Sequence, residues 1–522
     1  MQKFDTKEFN TTGPCRPEMH YMLPPASRLR QADLDRFIER ELYWVLHAPR
    51  QTGKTSFLIS WMHDLNATGK VVACYVSVER CQGVEDVENA IPLIQEAIVE
   101  YASSFSVPIP TNSIADKTPG SLLSSTLKNW SELCAPKPLV VLFDEVDVLA
   151  GPALISFLRQ LRGGFASRGV GNFPVSVALV GMRDLKDYLV HSKDGQSVNP
   201  GSPFNIKKES FTLRNFNAAE VVELLNQHTK ATGQIFREEA VELLFTYSQG
   251  QPWLVNALAD CCVYKLVPDR TQPITANHIE TAKEQLILSR ATHIDSLAER
   301  LKDPKVKKVI QPILAGELDP TLAEGDEFRF CMDLGLVALV QGNPAIANPI
   351  YREVLFRTLN YGQQLAIPPP EFKWQHENGD LDLDALFTEF TAFWRIHGDA
   401  WELKSDYTEI FPHLLLMAFF QRVLNGGAKI SREAAVGRER IDMLIEWKSW
   451  KHIIEIKMVY PGRGRKYPLE MGLKQIASYK DKVHGDATQT LVIFDRTKTG
   501  KKLSWAKRLR IEQHGDVVVR WF

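Results

Sequence analysis

Apolar residues fall into two recurring patterns along this chain, and their alternation predicts the first part of the fold. Short continuous apolar runs at Leu42–His47, Val71–Val78, Leu139–Phe143 and Val175–Val180 read as strands buried on both faces. Between them lie stretches with helical spacing: Leu34–Glu41, Thr55 to Leu65, a stretch ending near Phe105, Ser121–Cys134 and Ala153–Arg168. Buried strands alternating with helices predict a doubly wound parallel sheet. Residues 1–30, with Gly13-Pro14, Pro17 and Pro24-Pro25, read as an extended entry segment. Residues 106–120, with Pro108, Pro110 and Pro119, read as a loop.

From Asn217 the periodicity becomes helical, over Ala218–Thr232, Glu238–Ser248 and Pro252–Leu266, with further helices to about Asn360 and a winged-helix-like hairpin near Leu336–Ala347. The best linker is Gln363–Asp380, which holds Pro368-Pro369-Pro370 and Glu377-Asn378-Gly379. Helices Leu381–Ile396 and Ile410–Asn425 follow, then alternating strands and one helix to the end; no internal repeat is visible.

At 522 residues the chain exceeds a single ordinary core, so several domains are expected. No apolar run approaches the roughly 20 residues that span a bilayer. No secretory signal is legible behind Lys3, Asp5, Lys7 and Glu8, and seven scattered cysteines fit a reducing compartment, so the expected location is the cytoplasm. Net charge is −1 overall but uneven: residues 421–522 hold 22 Lys/Arg against 11 Asp/Glu, a net of +11. That balance suits a polyanionic partner or a solvated basic surface.

The clearest chemistry lies at Ala48-Pro49-Arg50-Gln51-Thr52-Gly53-Lys54-Thr55, between a buried strand and a helix. A phosphate loop needs backbone N–H groups converging at a helix N-terminus, with glycine permitting close approach. Gly53 supplies that approach, Lys54 a cation for the β/γ phosphates, and Thr55 a hydroxyl for Mg²⁺; Ser56 completes the phosphate-binding set. Ala48 stands where the first glycine of such loops usually sits. The run Leu139–Phe143 ends in Asp144-Glu145, which suits a magnesium-shell carboxylate and a base for the attacking water. Arg183, after the strand Val175–Val180, is a candidate sensor of the γ-phosphate or a surface arginine.

Residues 13–365 resemble a bacterial AAA-like ATPase family related to the STAND and archaeal ATPases. The matching segments are Gly13–Tyr21, His47–Thr55, Ser202–Ile206, Gly250-Gln251-Pro252 and Asn348–Glu353. The resemblance implies ATP rather than GTP, a helical lid bringing Gly250–Pro252 near the nucleotide, an approach of His20-Tyr21-Met22 to the base, and assembly into homo-oligomers.

Near the C-terminus, Gly437–Glu446 and Lys451–Lys457 read as a hairpin with a polar tip at Lys448-Ser449. That turn places Asp442 directly opposite Glu455, with Lys457 on the same face. Opposed β-carbons sit only about 5 Å apart, a spacing at which two carboxylates repel unless a cation joins them. The pattern Asp442, Glu455, Lys457 resembles the PD-(D/E)XK nuclease signature, with Ile441 in place of its proline. Gln475 and Tyr479 resemble the additional helical motif of RecB-like members. The resemblance implies a phosphodiesterase with Mg²⁺, or alternatively Mn²⁺, bound by Asp442 and Glu455. The third ligand stays open among Glu409, Gln421 and Glu433.

The expected class is therefore α/β: a P-loop NTPase parallel sheet (1–215), a helical lid (216–290), a winged-helix-like middle (291–365), a linker (366–380) and an α/β PD-(D/E)XK nuclease-like domain (381–522). The expected partner is nucleic acid, DNA in preference to RNA, with no membrane. A STAND-type switch carrying an inactive nuclease fold is the alternative.

Overall fold

The structure is a computed structural model and describes residues 7–24, 27–29, 31–111, 118–182, 190–191, 197–198, 207–289, 297, 299–314, 320–366, 374–404, 411–424, 428–436, 439–459, 464–480, 487–495 and 509–522. Two compact units emerge: residues 1–306 with 319–351, and residues 307–318 with 352–522. Among the described residues no helix is long and apolar enough to cross a membrane.

In the first unit, α1 (Gln31–Glu39) leads into β1 (Tyr43–His47) and, after a loop, α2 (Lys54–Ala67). Then come β2 (Val72–Ser77), α3 (Val87–Ser104), α4 (Pro119–Cys134), β3 (Leu139–Asp144), α5 (Gly151–Phe165) and β4 (Ser176–Gly181). After a two-residue pair, β5 (190–191) with β6 (197–198), the chain enters β7 (Lys207–Thr212). The main sheet has the order β2-β3-β4-β1-β7, every pairing parallel. Strands β2, β3 and β4 are buried almost throughout because helices cover both faces, which is why they read as unbroken apolar runs. One face packs with Ile91, Ile98, Leu127, Trp130 and Phe157; the other packs with Phe37, Leu58, Trp61 and Met62. Each such side chain, fully buried, contributes roughly 1.5–3 kcal/mol.

Sequence periodicity missed β7, whose Lys-Lys-Glu-Ser-Phe-Thr carries one apolar residue. It is an edge strand held by β1 through backbone pairing, with Ser210 and Thr212 within hydrogen-bond distance of the His47 ring. Helices α6 (Ala218–Thr232), α7 (Glu238–Ser248), α8 (Pro252–Asp260) and α9 (Ala276–Leu288) form the helical part, with a π-turn over Cys261–Leu266 where one continuous helix was expected. The hairpin foreseen near Leu336–Ala347 is β8 (Val337–Val340) with β9 (Asn343–Ile346), turned by Gln341 and Gly342 at positive φ.

The second unit holds a six-stranded mixed sheet, β10 (Lys429–Val436), β11 (Glu439–Trp447), β12 (Trp450–Val459), β13 (Ala487–Asp495), β14 (Arg510–His514) and β15 (Val517–Trp521), ordered β10-β11-β12-β13-β15-β14. The pairs β12/β13 and β13/β15 are parallel and the rest antiparallel. The helix Lys466–Lys480 makes the crossover from β12 to β13. Its Ile476 and Tyr479 pack with Val459 and Ile453 of β12. Phe387, Phe390 and Trp394 of the helix Leu383–Lys404 and Phe419 and Phe420 of the helix Phe411–Val423 form an aromatic cluster with Phe494 and Phe522.

Candidate functional sites

The loop after β1 lies at the C-terminal edge of the sheet, where β1 has β4 on one side and β7 on the other. The chain leaves β1 toward β2 and leaves its neighbour β4 toward β7, in opposite directions along the sheet, the position at which open α/β sheets form ligand crevices. Gly53 sits at φ +81 as the N-cap of α2, a conformation without cost for glycine, and no side chain caps the helix. Its first-turn N–H groups are thus left for an anion. Gln51 also takes positive φ, and the Thr52 hydroxyl donates to Pro49 O at 2.8 Å, closing the loop on itself. Lys54 Nζ donates to Ala48 O and Pro49 O, at 2.7 and 2.9 Å. Burial holds its ammonium below the ordinary lysine range, so a phosphate is a better partner for it than the two carbonyls. Arg50 is exposed and lines the same cavity.

Strand β3 delivers the carboxylates. Asp144 is fully buried and accepts from Thr55 Oγ1 at 2.6 Å and Tyr75 OH at 3.2 Å. Burial pushes its carboxyl up against the pull of Thr55 and Lys54. Thr55 and Asp144 together offer two hard oxygen donors from loop and strand, which suits Mg²⁺. Glu145 adopts φ +60, uncommon for a side-chain-bearing residue, and its Oε2 accepts from Ser77 Oγ at 2.9 Å. Burial first, then the Asp144 charge, raises its carboxyl above the usual range. A cavity of about 700 Å³ joins loop, carboxylates, Tyr75, Ser77 and Tyr101 to the segment Asn10–Cys15 and to Pro252, Trp253 and Asn256 of α8.

Gln251 Nε2 donates to Gln51 O at 3.2 Å, so the Gly250-Gln251-Pro252 turn touches the loop itself. From the other side Gly335 packs so tightly on Pro49 that an added β-carbon would lie 2.7 Å from the proline ring. His20-Tyr21-Met22 does not line the cavity. Tyr21 OH pairs with His228 Nδ1 at 3.2 Å and Met22 N donates to Gln227, so these residues fasten the entry segment to α6. Arg183 and Ser202–Ile206 lie outside the described residues. Tyr75, Ser77, Trp253 and Asn256 escaped sequence reasoning: a buried tyrosine or asparagine in an apolar run carries no motif.

In the second unit the hairpin pairs Met443 with Ile454, Leu444 with Ile453 and Trp447 with Trp450, around a turn with Lys448 at positive φ. One step beyond the last ladder pair lie Asp442 and Glu455, the two residues expected to oppose one another. There the side chains take over from the backbone ladder: Ile456 N donates to Asp442 Oδ2 at 2.8 Å, and Asp442 N meets Glu455 Oε2 at 3.5 Å. Lys457 Nζ donates to Glu455 Oε1 at 2.6 Å. Glu455 is 1% exposed, and burial, with the Asp442 charge added, pushes its carboxyl up to about 7. Burial works against the Lys457 charge, but Asp442 and Glu455 outweigh it and hold the ammonium above its ordinary range.

Glu455 and Lys457 share a strand face with Ile453 and Val459, the face covered by the helix Lys466–Lys480. Gln475 lies on that helix, half-buried, with its Oε1 buried and without a hydrogen-bond partner among the described residues. Among those residues no group of three or more His, Cys, Asp or Glu side chains is arranged to hold a metal. Glu409 and the side chains of Gln421 and Glu433 lie outside them.

Strand order, phosphate loop and carboxylate strand define the first unit as a P-loop nucleotide-binding fold. No family model matches the sequence, and no curated protein matches it. Among solved structures it is similar to the Walker-type ATPase PABY2304 of Pyrococcus abyssi, at 15% identity over 66% of this chain and 99% of that one, TM-score 0.47. It is also similar to Cdc6p from Pyrobaculum aerophilum (15%, 65% and 96%, TM-score 0.37) and to the Thermotoga maritima RuvB Holliday junction branch migration motor (13%, 62% and 94%, TM-score 0.33). Likenesses this distant leave the chain's own geometry to carry the assignment.

Proposed function

We propose that the chain binds and hydrolyses ATP in its first unit and that this controls a metal-dependent phosphodiesterase, acting on nucleic acid, in its second. The observation that carries the reading is the conjunction of two clusters: Lys54, Thr55, Asp144 and Glu145 about one cavity, and Asp442, Glu455 and Lys457 about one hairpin. In the first cluster the loop N–H groups and Lys54 hold the phosphates, and Arg183 is the proposed γ-phosphate sensor. Glu145, with its raised affinity for protons, accepts one from the attacking water. Residues 216–290 act as lid and 291–365 as the winged-helix-like segment, ahead of a linker at 366–380.

In the second cluster Asp442 and Glu455 are the ligands for Mg²⁺ or Mn²⁺, and Gln475 is a supporting residue. The metal supplies charge neutralisation at the phosphate. Lys457 orients the water or stabilises developing charge. The net +11 of residues 421–522 favours DNA or RNA as the polyanion, DNA being the expected substrate.

The test is cleavage of single- and double-stranded DNA and RNA with Mg²⁺, with and without ATP. Asp442→Ala/Lys457→Ala should abolish cleavage while ATP binding persists; Lys54→Ala should abolish ATP binding. Wild-type cleavage by the Asp442→Ala/Lys457→Ala variant would refute the nuclease. A second reading has its own observation: the two carboxylates are already engaged by Ile456 N and Lys457, without a third acid among the described residues. On that reading the second unit is an inactive nuclease fold that binds a partner under nucleotide control. Nucleotide-dependent DNA binding without cleavage under any metal would select it.

A further inference from the structure

Two pieces of chain line the cavity besides the phosphate loop and the residues around the carboxylates: the segment Asn10–Cys15 and the first turns of α8. The segment is latched at both ends. Cys15 N donates to Ser56 Oγ at 2.8 Å, just beyond the phosphate loop, and Thr11 O accepts from Trp253 Nε1 at 2.9 Å. Asn10 Nδ2 donates to Gly13 O and Thr12 N donates to Asn10 Oδ1, so the turn holds its own shape. Trp253 is therefore an indole pinned by its N–H at the cavity wall. Asn256, three residues on, shares its helical face.

Asn256 is only 8% exposed. Its Nδ2 donates to Pro252 O at 2.8 Å, which sets the amide's orientation and leaves the carbonyl oxygen as the remaining polar atom. That Oδ1 is buried and has no hydrogen-bond partner among the described residues. A buried acceptor without a donor is costly, and on a residue that lines a ligand cavity a donor brought by the ligand would satisfy it.

We propose that Asn256 and Trp253 read the base of the nucleotide, Asn256 Oδ1 accepting a hydrogen bond from the exocyclic amine of adenine while the Trp253 ring covers the purine. Guanine would set its own carbonyl oxygen against Asn256 Oδ1, acceptor against acceptor, and is refused. This inference rests on the P-loop reading and adds to it the choice of base.

The experiment is isothermal titration calorimetry of the full chain with Mg²⁺ and three ligands: ATP, GTP and purine riboside triphosphate, which lacks the amine. The wild-type protein should bind ATP roughly tenfold or more tighter than either of the others, the factor expected when a buried acceptor loses its donor. Asn256→Leu should bring the three affinities within about twofold of one another, because the buried acceptor that told them apart is gone. Trp253→Ala should weaken all three alike, roughly tenfold, because stacking tolerates every base. Lys54→Ala should lose all three. If wild-type protein binds the three ligands equally and Lys54→Ala still abolishes binding, the base inference is overturned and the P-loop reading stands. If wild-type protein binds none, both are overturned. The comparison of ligands on the wild-type chain decides the matter even where Asn256→Leu fails to fold.

Discussion

Gly250→Ala is the substitution whose cost follows most directly from the geometry. Gly250 has φ +69, and a β-carbon there would lie 1.9 Å from Phe216 O and 2.9 Å from Phe216 C. The obstacle is backbone and cannot rotate away. Phe216 N also donates to Gly250 O at 2.9 Å, so separating the two segments breaks a hydrogen bond as well. Gly233, at the C-terminus of α6, is a matched control: φ is +78 and a β-carbon would meet nothing within 4 Å. Gly233→Ala should therefore cost only left-handed strain, about 1 kcal/mol. Gly250→Ala adds overpacking and the lost hydrogen bond, for a total of about 3–5 kcal/mol. Hydrogen exchange of peptides from α6 to α9 against urea reads both values on the full chain. The displaced turn also withdraws Gln251 from Gln51 O, so nucleotide affinity should fall for Gly250→Ala and hold for Gly233→Ala. Equal destabilisation of the two variants, within the about 0.5 kcal/mol scatter of such comparisons, would refute the steric argument.

Glu145→Gln should leave ATP affinity within a few-fold and lower the rate of phosphate release by roughly a hundredfold or more, the contribution of a general base. Unchanged turnover would remove Glu145 from the chemistry. His228 makes a pH prediction. Burial holds its folded pKa below the ordinary 6.5, so the unfolded chain takes up the proton first as pH falls. Its contribution is complete above pH 6.5 and is lost progressively below it. The thermal midpoint should drop on that side with a slope smaller in His228→Gln; identical slopes would dismiss the residue as the source.

Much of this architecture was legible because buried parallel strands have no polar face to hide in. Leu139–Phe143 and Val175–Val180 could be read as strands without knowing what covers them, and the turn at Lys448-Ser449 fixed the hairpin register, Met443 opposite Ile454, because strand pairing is arithmetic. The loop 48–55 was equally plain, since strand, glycine, lysine, threonine and helix are contiguous. β7 was not legible: Lys207–Thr212 has too few apolar residues to declare itself and takes its strand form from β1.

What only the tertiary structure decided is what distant segments do to one another. The sequence alone determined the phosphate loop and the carboxylates after Phe143, whereas their meeting through Thr55 and Asp144 at 2.6 Å depends on β4 lying between β1 and β3. Nor could composition tell that the Asn10–Cys15 segment would be pinned to Trp253, about 240 residues away, or that Asn256 would be left with an unpaired oxygen beside the same cavity. Local pattern records what each segment buries; which partner it meets is set by packing across the fold, and no short stretch of sequence contains that.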